Sequence, residues 1–167
     1  MMSVSLLRTN EEITEIYIRY VSTVYRVALM MLKNVAEAED AMQTVFIKLM
    51  TANTDVKSEE HLKAWLIVTT QNICKNVFKS RWYSKKVDYE HIPEQSCLPD
   101  TDTNGVWEKI TALDEKHRLP IYLHYYEGYK TEEIAKMLGE NHATVRTRLR
   151  TARAKLKLIF EEEGVTP

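Results

Sequence analysis

The sequence predicts an all-α protein made of two small helical domains joined by a flexible linker. Four glycines and four prolines are few for 167 residues, which favours long helices over a turn-rich sandwich or barrel. Apolar residues recur three and four positions apart over most of the chain, the period of amphipathic helices. Between two such regions, residues 84–107 collect two of the prolines, a glycine and an acidic excess, which is typical of a linker. The predicted domains are therefore 1–83 and 108–167.

The N-terminal domain is predicted to contain three helices. The first covers 11–32, with Asn10 as its N-cap and acidic residues in its first turn. The second covers about 35–50. A polar segment, 51–57, has the composition of a loop, and a third helix follows it over about 58–83.

The C-terminal domain is predicted to begin with two short helices, over 106–113 and 118–127. Pro120 falls in the first turn of the second one, where a proline is tolerated, and Gly128 is placed to end it. A further helix is predicted with Thr131 as its N-cap. The sequence Gly139-Glu140-Asn141 then predicts a short turn before the last helix.

The last helix carries an apolar stripe and, beside it, a cationic one. Asn141 is predicted to cap it, and the apolar stripe consists of Val145, Leu149, Ala152 and Leu156. Arg146, Arg150, Arg153 and Lys157 repeat that spacing one residue later, about 100° around the helix axis. Two helices joined by a glycine turn resemble a helix-turn-helix, whose second helix enters the DNA major groove.

The segment 142–157, HATVRTRLRTARAKLK, contains four arginines, two lysines and no acid, although the whole chain has a formal net charge of -1. One interpretation is an ordinary solvated helix face. DNA binding is favoured because no interleaved acids relieve the repulsion among the cations. Thr144, Thr147 and Thr151 lie among the arginines and add short hydroxyls that can contact phosphates or bases.

Other classes of protein find little support in the sequence. Cys74 and Cys97 form neither a zinc signature nor a disulfide framework, and the five histidines are scattered. No glycine-rich phosphate loop or paired metal-ligand spacing is present, so no catalysis, metal or cofactor is expected. No apolar run approaches the ~18 residues of a membrane span, and the N-terminus lacks the order of a signal peptide. We expect a cytoplasmic protein without membrane insertion.

Three stretches carry a family resemblance. The stretch LPIYLHYYEGYKTEEIAKMLGENHATVRTRLRTARAKLK resembles region 4 of the extracytoplasmic-function (ECF) sigma factors, within the sigma-70 family. AEAEDAMQTVFIKLM resembles the region 2 helix that docks on the RNA polymerase clamp. HLKAWLIVTTQNICKNVFKSR resembles the helix that reads and opens the downstream promoter element. The resemblance implies a promoter-specificity subunit that binds the clamp and flap of core RNA polymerase and promoter DNA, without catalysis of its own.

The resemblance also implies site residues, each carried over from a matching motif. For polymerase binding these are Glu39, Asp40, Gln43 and Phe46, although Phe46 is also expected in the domain core. For the downstream element they are Trp65, Asn72, Asn76, Lys79 and Arg81, with Trp65 also expected to pack. For the upstream element they are Asn141, His142, Thr144, Arg146, Thr147, Arg148, Arg150, Thr151 and Arg153. The loop 51–57 corresponds to the segment that holds a base flipped from the melted strand.

Three positions depart from the family pattern, one of them Asp114, which stands where the opening of the domain often has proline. Glu140 occupies a turn position that usually holds an apolar residue, and Thr151 stands where an arginine is common, with Arg150 one position earlier. The acidic linker would run through the polymerase cleft, and an anti-sigma factor is a possible further partner. The alternative function is a helix-turn-helix regulator that binds DNA without joining polymerase.

Overall fold

The computed structural model describes residues 8–52, 56–84, 105–162 and 164. These residues form seven α-helices and no strand, which confirms the all-α prediction. They fall into two compact units, one containing the first three helices and the other containing the last four. Within the described residues no helix is both long enough and apolar enough to cross a membrane.

The N-terminal unit consists of α1 (Asn10–Leu32), α2 (Val35–Thr51) and α3 (Glu59–Ser84), each packed against the other two. The predicted cap of α1 is wrong by one residue. Thr9 is the N-cap, because its hydroxyl accepts a hydrogen bond from the Glu12 amide at 3.2 Å while the Glu12 carboxylate accepts one from the Thr9 amide at 2.9 Å. This reciprocal box satisfies two helix-end amides, whereas a cap at Asn10 would satisfy one.

A polar cluster fastens the start of α3 to α1. The Glu59 carboxylate accepts hydrogen bonds from the Tyr20 hydroxyl and the Arg19 guanidinium. Burial, together with the neighbouring carboxylate, raises the pKa of Tyr20 to about 12, and the same two hydrogen bonds lower the pKa of Glu59. The cluster holds the start of α3 beside α1. The three helices bury an apolar core between them. Its most enclosed members are Val24, Val27, Met30, Val45, Leu49, Leu66 and Ile67.

The C-terminal unit consists of α4 (Val106–Thr111), α5 (Glu115–Tyr125), α6 (Thr131–Leu138) and α7 (His142–Glu162). Its core is built around the most enclosed side chains, Tyr122, Leu123, Ile134, Val145 and Leu149. The Trp107 ring lies 5.5 Å from Tyr122 and 4.8 Å from Tyr126, which joins α4 to α5.

Three of the predicted helix bounds in this unit are wrong, and one of them is the end of α5, which lies at Tyr125 and not at 127. The helix α4 ends at Thr111, and Leu113 follows in a tighter turn in which its amide bonds the Ile110 carbonyl at 3.1 Å. The helix α5 begins at Glu115, because the Asp114 carbonyl accepts the amides of His117 and Arg118. Pro120 therefore lies inside the helix and not in its first turn.

Two predictions fall partly or wholly outside the described residues. The loop 51–57 includes residues 53–55, and the linker 84–107 consists mostly of residues 85–104. Their roles and the domain boundaries around them stay predictions.

Candidate nucleic-acid interface

The turn between α6 and α7 has the local geometry of a helix-turn-helix. Gly139 ends α6 with φ 64°, in the left-handed region that glycine adopts without strain. The Asn141 side chain then accepts a hydrogen bond from the Ala143 amide at 2.9 Å, as predicted for a cap of α7. At the other end of α6 the predicted cap is wrong, because Lys130 occupies the N-cap and Thr131 is the first helical residue. The Thr131 hydroxyl lies 2.7 Å from His142 Nε2 and so joins the two helices.

The core stripe of α7 determines which of its side chains reach solvent. Val145, Leu149 and Ala152 are fully buried, whereas Leu156 is half-buried and Phe160 continues the buried stripe. The predicted interface residues on the outer side of the helix are exposed, while His142, Thr144 and Thr151 are half-buried. The exposed set is Asn141, Arg146, Thr147, Arg150 and Arg153. The structure thus places Arg146, Arg150 and Arg153 on the exposed side of one helix together with the Thr147 hydroxyl.

Two arginines of α7 have partners that the sequence pattern did not reveal. The Arg148 guanidinium pairs with the Glu140 carboxylate at 3.1 Å, across the turn. Glu140 is one of the residues that depart from the family pattern. Its carboxylate neutralises one cation of the last helix. The Arg153 guanidinium lies over the Tyr125 ring at 5.5 Å from its centroid, a cation–π contact with α5. Arg146 and Arg150 lie on the exposed side of this helix.

The outer face of α3 carries most of the residues predicted for the downstream element. Asn72, Asn76 and Lys79 are exposed and lie along one stripe of the helix, and the half-buried Trp65 begins that stripe one heptad earlier. Trp82 extends the surface with 81% of its area exposed. Sequence reasoning missed Trp82, although an aromatic residue close to cations is a recognisable signal for base stacking.

Arg81 lies on the opposite face of α3. Its guanidinium pairs with the Glu37 carboxylate of α2, with Nε 3.1 Å from Oε1, and only 10% of its side chain is exposed. The pair spans 44 residues of sequence and fastens the end of α3 to the start of α2. This side chain is therefore engaged within its own unit, whereas Lys79 projects into solvent.

The residues predicted for polymerase binding divide between surface and core. Glu39, Asp40 and Gln43 are exposed along one face of α2. Phe46 is 6% exposed and meets the Tyr17 ring edge-on, with ring centroids 4.9 Å apart. The same exposed face continues into Ile47 and Met50, which are 58% and 48% exposed and which sequence reasoning did not single out.

Protein-family models match both helical units of the chain. The family model described as Sigma-70 region 2 matches residues 16–83. The model described as Sigma-70, region 4 matches residues 104–156, so the two together span well over half of the chain.

Curated relatives match over nearly the whole chain. The ECF RNA polymerase sigma factor SigL of Mycobacterium tuberculosis (strain ATCC 25618 / H37Rv) is 29% identical over 159 residues, covering 90% of each chain. The RNA polymerase sigma factor SigV of Bacillus subtilis (strain 168) is 26% identical over 147 residues, covering 85% of this chain and 87% of its own.

A solved structure shares the fold. The sigma factor RpoE of Bartonella quintana, in complex with the anti-sigma factor NepR, has a TM-score of 0.70 at 20% identity, and the match covers 90% of this chain and 98% of that one. The region 2 model matches the N-terminal helical unit and the region 4 model matches the C-terminal one. The relatives named above, which match over 85% or more of this chain, are described as RNA polymerase sigma factors. The chain belongs to the sigma-70 family of RNA polymerase sigma factors, as a member of the ECF group.

Proposed function

We propose that the two helical units of this sigma factor have different binding roles. It binds core RNA polymerase and directs transcription initiation at promoters, which is the function of its family. The N-terminal unit carries the polymerase contact and the downstream element, and the C-terminal unit carries the upstream element. The observation that carries the proposal is the exposed cationic face of α7 in a chain that also exposes an acidic and amide-bearing face on α2.

For the upstream element, α7 enters the major groove with Arg146, Thr147 and Arg150 leading. The exposed guanidinium groups reach phosphates or guanine edges, and the Thr147 hydroxyl can serve either. Thr151, half-buried at the edge of this face, takes the position where relatives commonly carry arginine. We therefore assign promoter preference to the dipeptide Arg150-Thr151.

For the downstream element, the outer stripe of α3 meets DNA through Asn72, Asn76 and Lys79. Amide groups hydrogen-bond to base edges, and the lysine favours phosphate. Trp82 adds an exposed ring on which an unstacked base can rest. Arg81 supports this surface from behind through its pair with Glu37 and does not itself contact DNA.

For core polymerase, the exposed face of α2 is the contact surface. Glu39, Asp40 and Gln43 supply polar contacts to cations of the clamp, and Ile47 and Met50 supply apolar area beside them. A mixed surface of this kind is typical of protein interfaces, in which an apolar centre is bordered by polar groups. Phe46 contributes from the core by holding α2 against α1.

The remaining features belong to the same proposal. The protein acts in the cytoplasm beside polymerase and has no catalysis of its own. A neighbour in structure is bound to an anti-sigma factor, and a comparable partner here would cover the surfaces used for polymerase and DNA. The acidic linker would lie in the polymerase cleft, where carboxylates resemble a nucleic-acid backbone.

Run-off transcription with purified core polymerase and a library of promoter fragments tests the proposal. We expect initiation that depends on both the chain and a particular subset of fragments. Asp40→Asn should reduce core binding, whereas Glu15→Gln, which removes an exposed acid from α1, should leave it unchanged. If the chain bound fragments but core polymerase never initiated from them, the alternative of a regulator acting without polymerase would replace the proposal.

A further inference from the structure

A basic pocket opens between the start of α5 and the flank of α7 that lies away from Arg146 and Arg150. Its volume is about 530 Å³, and Lys116, His117, Arg148 and Lys155 line it together with three threonines. The function proposed above uses Thr147 and Thr151 of its wall for the upstream element, but assigns no ligand to the pocket. Because all of these side chains belong to one unit, the pocket exists within the C-terminal unit itself.

The charges around the pocket favour an anion. Lys155 pairs with the Asp114 carboxylate at 3.0 Å and Arg148 pairs with Glu140 at 3.1 Å, so each cation has one acidic neighbour. An ammonium has three N–H groups and a guanidinium has five, so a single partner leaves each with donors to spare. Lys116 is exposed at the rim and adds a third cation.

His117 is a buried polar group that faces this pocket. It is 4% exposed, and its Nδ1 atom has no hydrogen-bond partner among the residues that the structure describes. The nearest acidic oxygen, Oδ2 of Asp114, is 3.8 Å away, which is too far for a hydrogen bond. Buried nitrogen atoms are almost always paired, so the Nδ1 atom of this wall residue has a hydrogen bond to give to a ligand.

The electrostatics of His117 and the start of α5 agree with this reading. Burial and the cations Lys155, Lys116 and Arg148 lower the pKa of His117, and Asp114 opposes them. The ring sits in a positive environment that an anion would relieve. Asp114 is the N-cap of α5, but within the described residues its side chain makes no capping hydrogen bond and pairs with Lys155 instead. The positive end of the helix is thus left for another oxygen acceptor.

We infer that this pocket binds a phosphate group, with Nδ1–H of His117 donating a hydrogen bond to one phosphate oxygen. Lys116, Arg148 and Lys155 neutralise the charge, and the hydroxyls of Thr144 and Thr151 border the remaining oxygens. A tetrahedral oxyanion suits the site because its donors come from two helices on different sides. The phosphate belongs either to the DNA backbone beside the upstream element or to a small phosphorylated molecule. The first source rests on the proposed function, whereas the pocket itself does not.

The first experiment titrates the full chain with inorganic phosphate at constant ionic strength, balanced with chloride. Long-range ¹H–¹⁵N spectra of the imidazoles report on His117. We expect a saturable shift at its Nδ1 and at least about tenfold weaker binding in the Lys116→Gln chain, which loses an exposed cation and keeps its fold. Lys136→Gln makes an equal charge change at an exposed position of α6. This chain should bind phosphate as the parent chain does. No saturable shift, or equal affinity in the Lys116→Gln chain, would overturn the inference.

The second experiment identifies the source with holoenzyme on a promoter fragment in which single backbone phosphates are replaced by uncharged methylphosphonates. A DNA source predicts one position where the replacement weakens binding by the parent chain but not by the Lys116→Gln chain. If phosphate saturates His117 and no position shows this coupling, the pocket serves a small phosphorylated molecule. Failure of the proposed function appears separately, as absent run-off transcription with the phosphate titration intact.

Discussion

Glu140 shows how one residue changes the charge that a helix presents to DNA. The resemblance to the family predicts an apolar side chain at this turn position, and here a carboxylate pairs with Arg148 at 3.1 Å. The pair is partly exposed, with 26% of the arginine side chain and 37% of the glutamate side chain accessible, so its effect on stability is small. Its consequence lies in binding, because the carboxylate lowers the net positive charge that Arg148 presents to a phosphate.

We predict that Glu140→Gln strengthens binding of holoenzyme to the upstream element. Without the carboxylate, Arg148 presents its full positive charge to the DNA backbone, so the slope of log K against log salt should become steeper by up to about 1. Glu132→Gln is the matched control, because it removes an exposed acid from α6 that has no role in this pair. Equal slopes for the two variants would show that Arg148 does not reach DNA when released.

His117 makes the stability of the C-terminal unit depend on pH. Because burial and neighbouring cations lower its pKa in the folded state, the unfolded chain takes up a proton below about pH 6.5 that the folded chain resists. Stability should therefore fall on acidification, by about 1.4 kcal/mol for each unit by which the pKa is lowered.

The measurement is urea unfolding of the full chain in chloride buffer at about pH 7.5 and about pH 5.5. The unfolding is monitored by hydrogen exchange of the amides in α5 and α7. His117→Asn lacks a titrating ring and should lose this part of the pH dependence. His61→Asn, on the exposed start of α3, should keep it. A His117→Asn chain that loses stability on acidification as much as the parent would contradict the prediction.

At the scale of the elements, the positions of the helices follow from local sequence, and their exact ends often do not. The apolar stripe of α7 and its Asn141 cap were predicted, because both depend on residues within one turn of each other. The cap of α1 was misplaced because Thr9 and Asn10 are both good capping residues, and only the partner at Glu12 selects between them. The start of α5 was misplaced because Pro120 marks a first turn in many helices but lies inside this one.

The candidate site was predictable where it depends on one helix and unpredictable where it depends on two. The exposed stripe of α3 and the exposed cations of α7 follow from helical spacing. The pair of Arg81 with Glu37 and the cation–π contact of Arg153 with Tyr125 join distant parts of the sequence, so no local pattern indicates them. The same is true of the pocket at His117, which needs α5 and α7 side by side.

Gly139 tests the turn that orients α7 against α6. Its φ of 64° is unfavourable for residues with a Cβ, while a Cβ built there meets no atom within 4 Å. Gly139→Ala should therefore cost about 1 kcal/mol through backbone strain alone, and Gly139→Asn should cost less because asparagine tolerates this region. The readout is hydrogen-exchange protection of the amides in α6 and α7.

Gly164 provides the control for this prediction. Its φ is 68° and its Cβ position is equally open, but it follows the end of α7. Gly164→Ala should leave the protection of α6 and α7 unchanged. If Gly139→Ala left it unchanged as well, the turn would be absorbing the strain by adopting another conformation.

Under the proposed function, a formal net charge of -1 and a local cationic face on α7 are compatible because promoter binding is shared with polymerase. A chain with this charge gains little nonspecific attraction to DNA, since that attraction grows with the number of phosphates neutralised. Under the proposed function, its cations act mainly where polymerase has already brought the promoter close. That function includes two binding steps that can be weakened separately, core binding through α2 and upstream-element binding through α7.

If the two binding steps are separate, variants that weaken one step should act independently of variants that weaken the other. Asp40→Asn should weaken core binding through α2, and Arg146→Ala with Arg150→Ala should weaken upstream-element binding through α7. Run-off transcription at limiting chain and limiting promoter measures both steps, so the fold reductions should multiply, with a coupling free energy within about 0.5 kcal/mol. The α7 variant should also flatten the salt dependence by up to about 2, which Asp40→Asn should not do. A coupling free energy well above about 1 kcal/mol would mean that the polymerase contact itself adjusts the DNA-binding helix, and that the two units act as one.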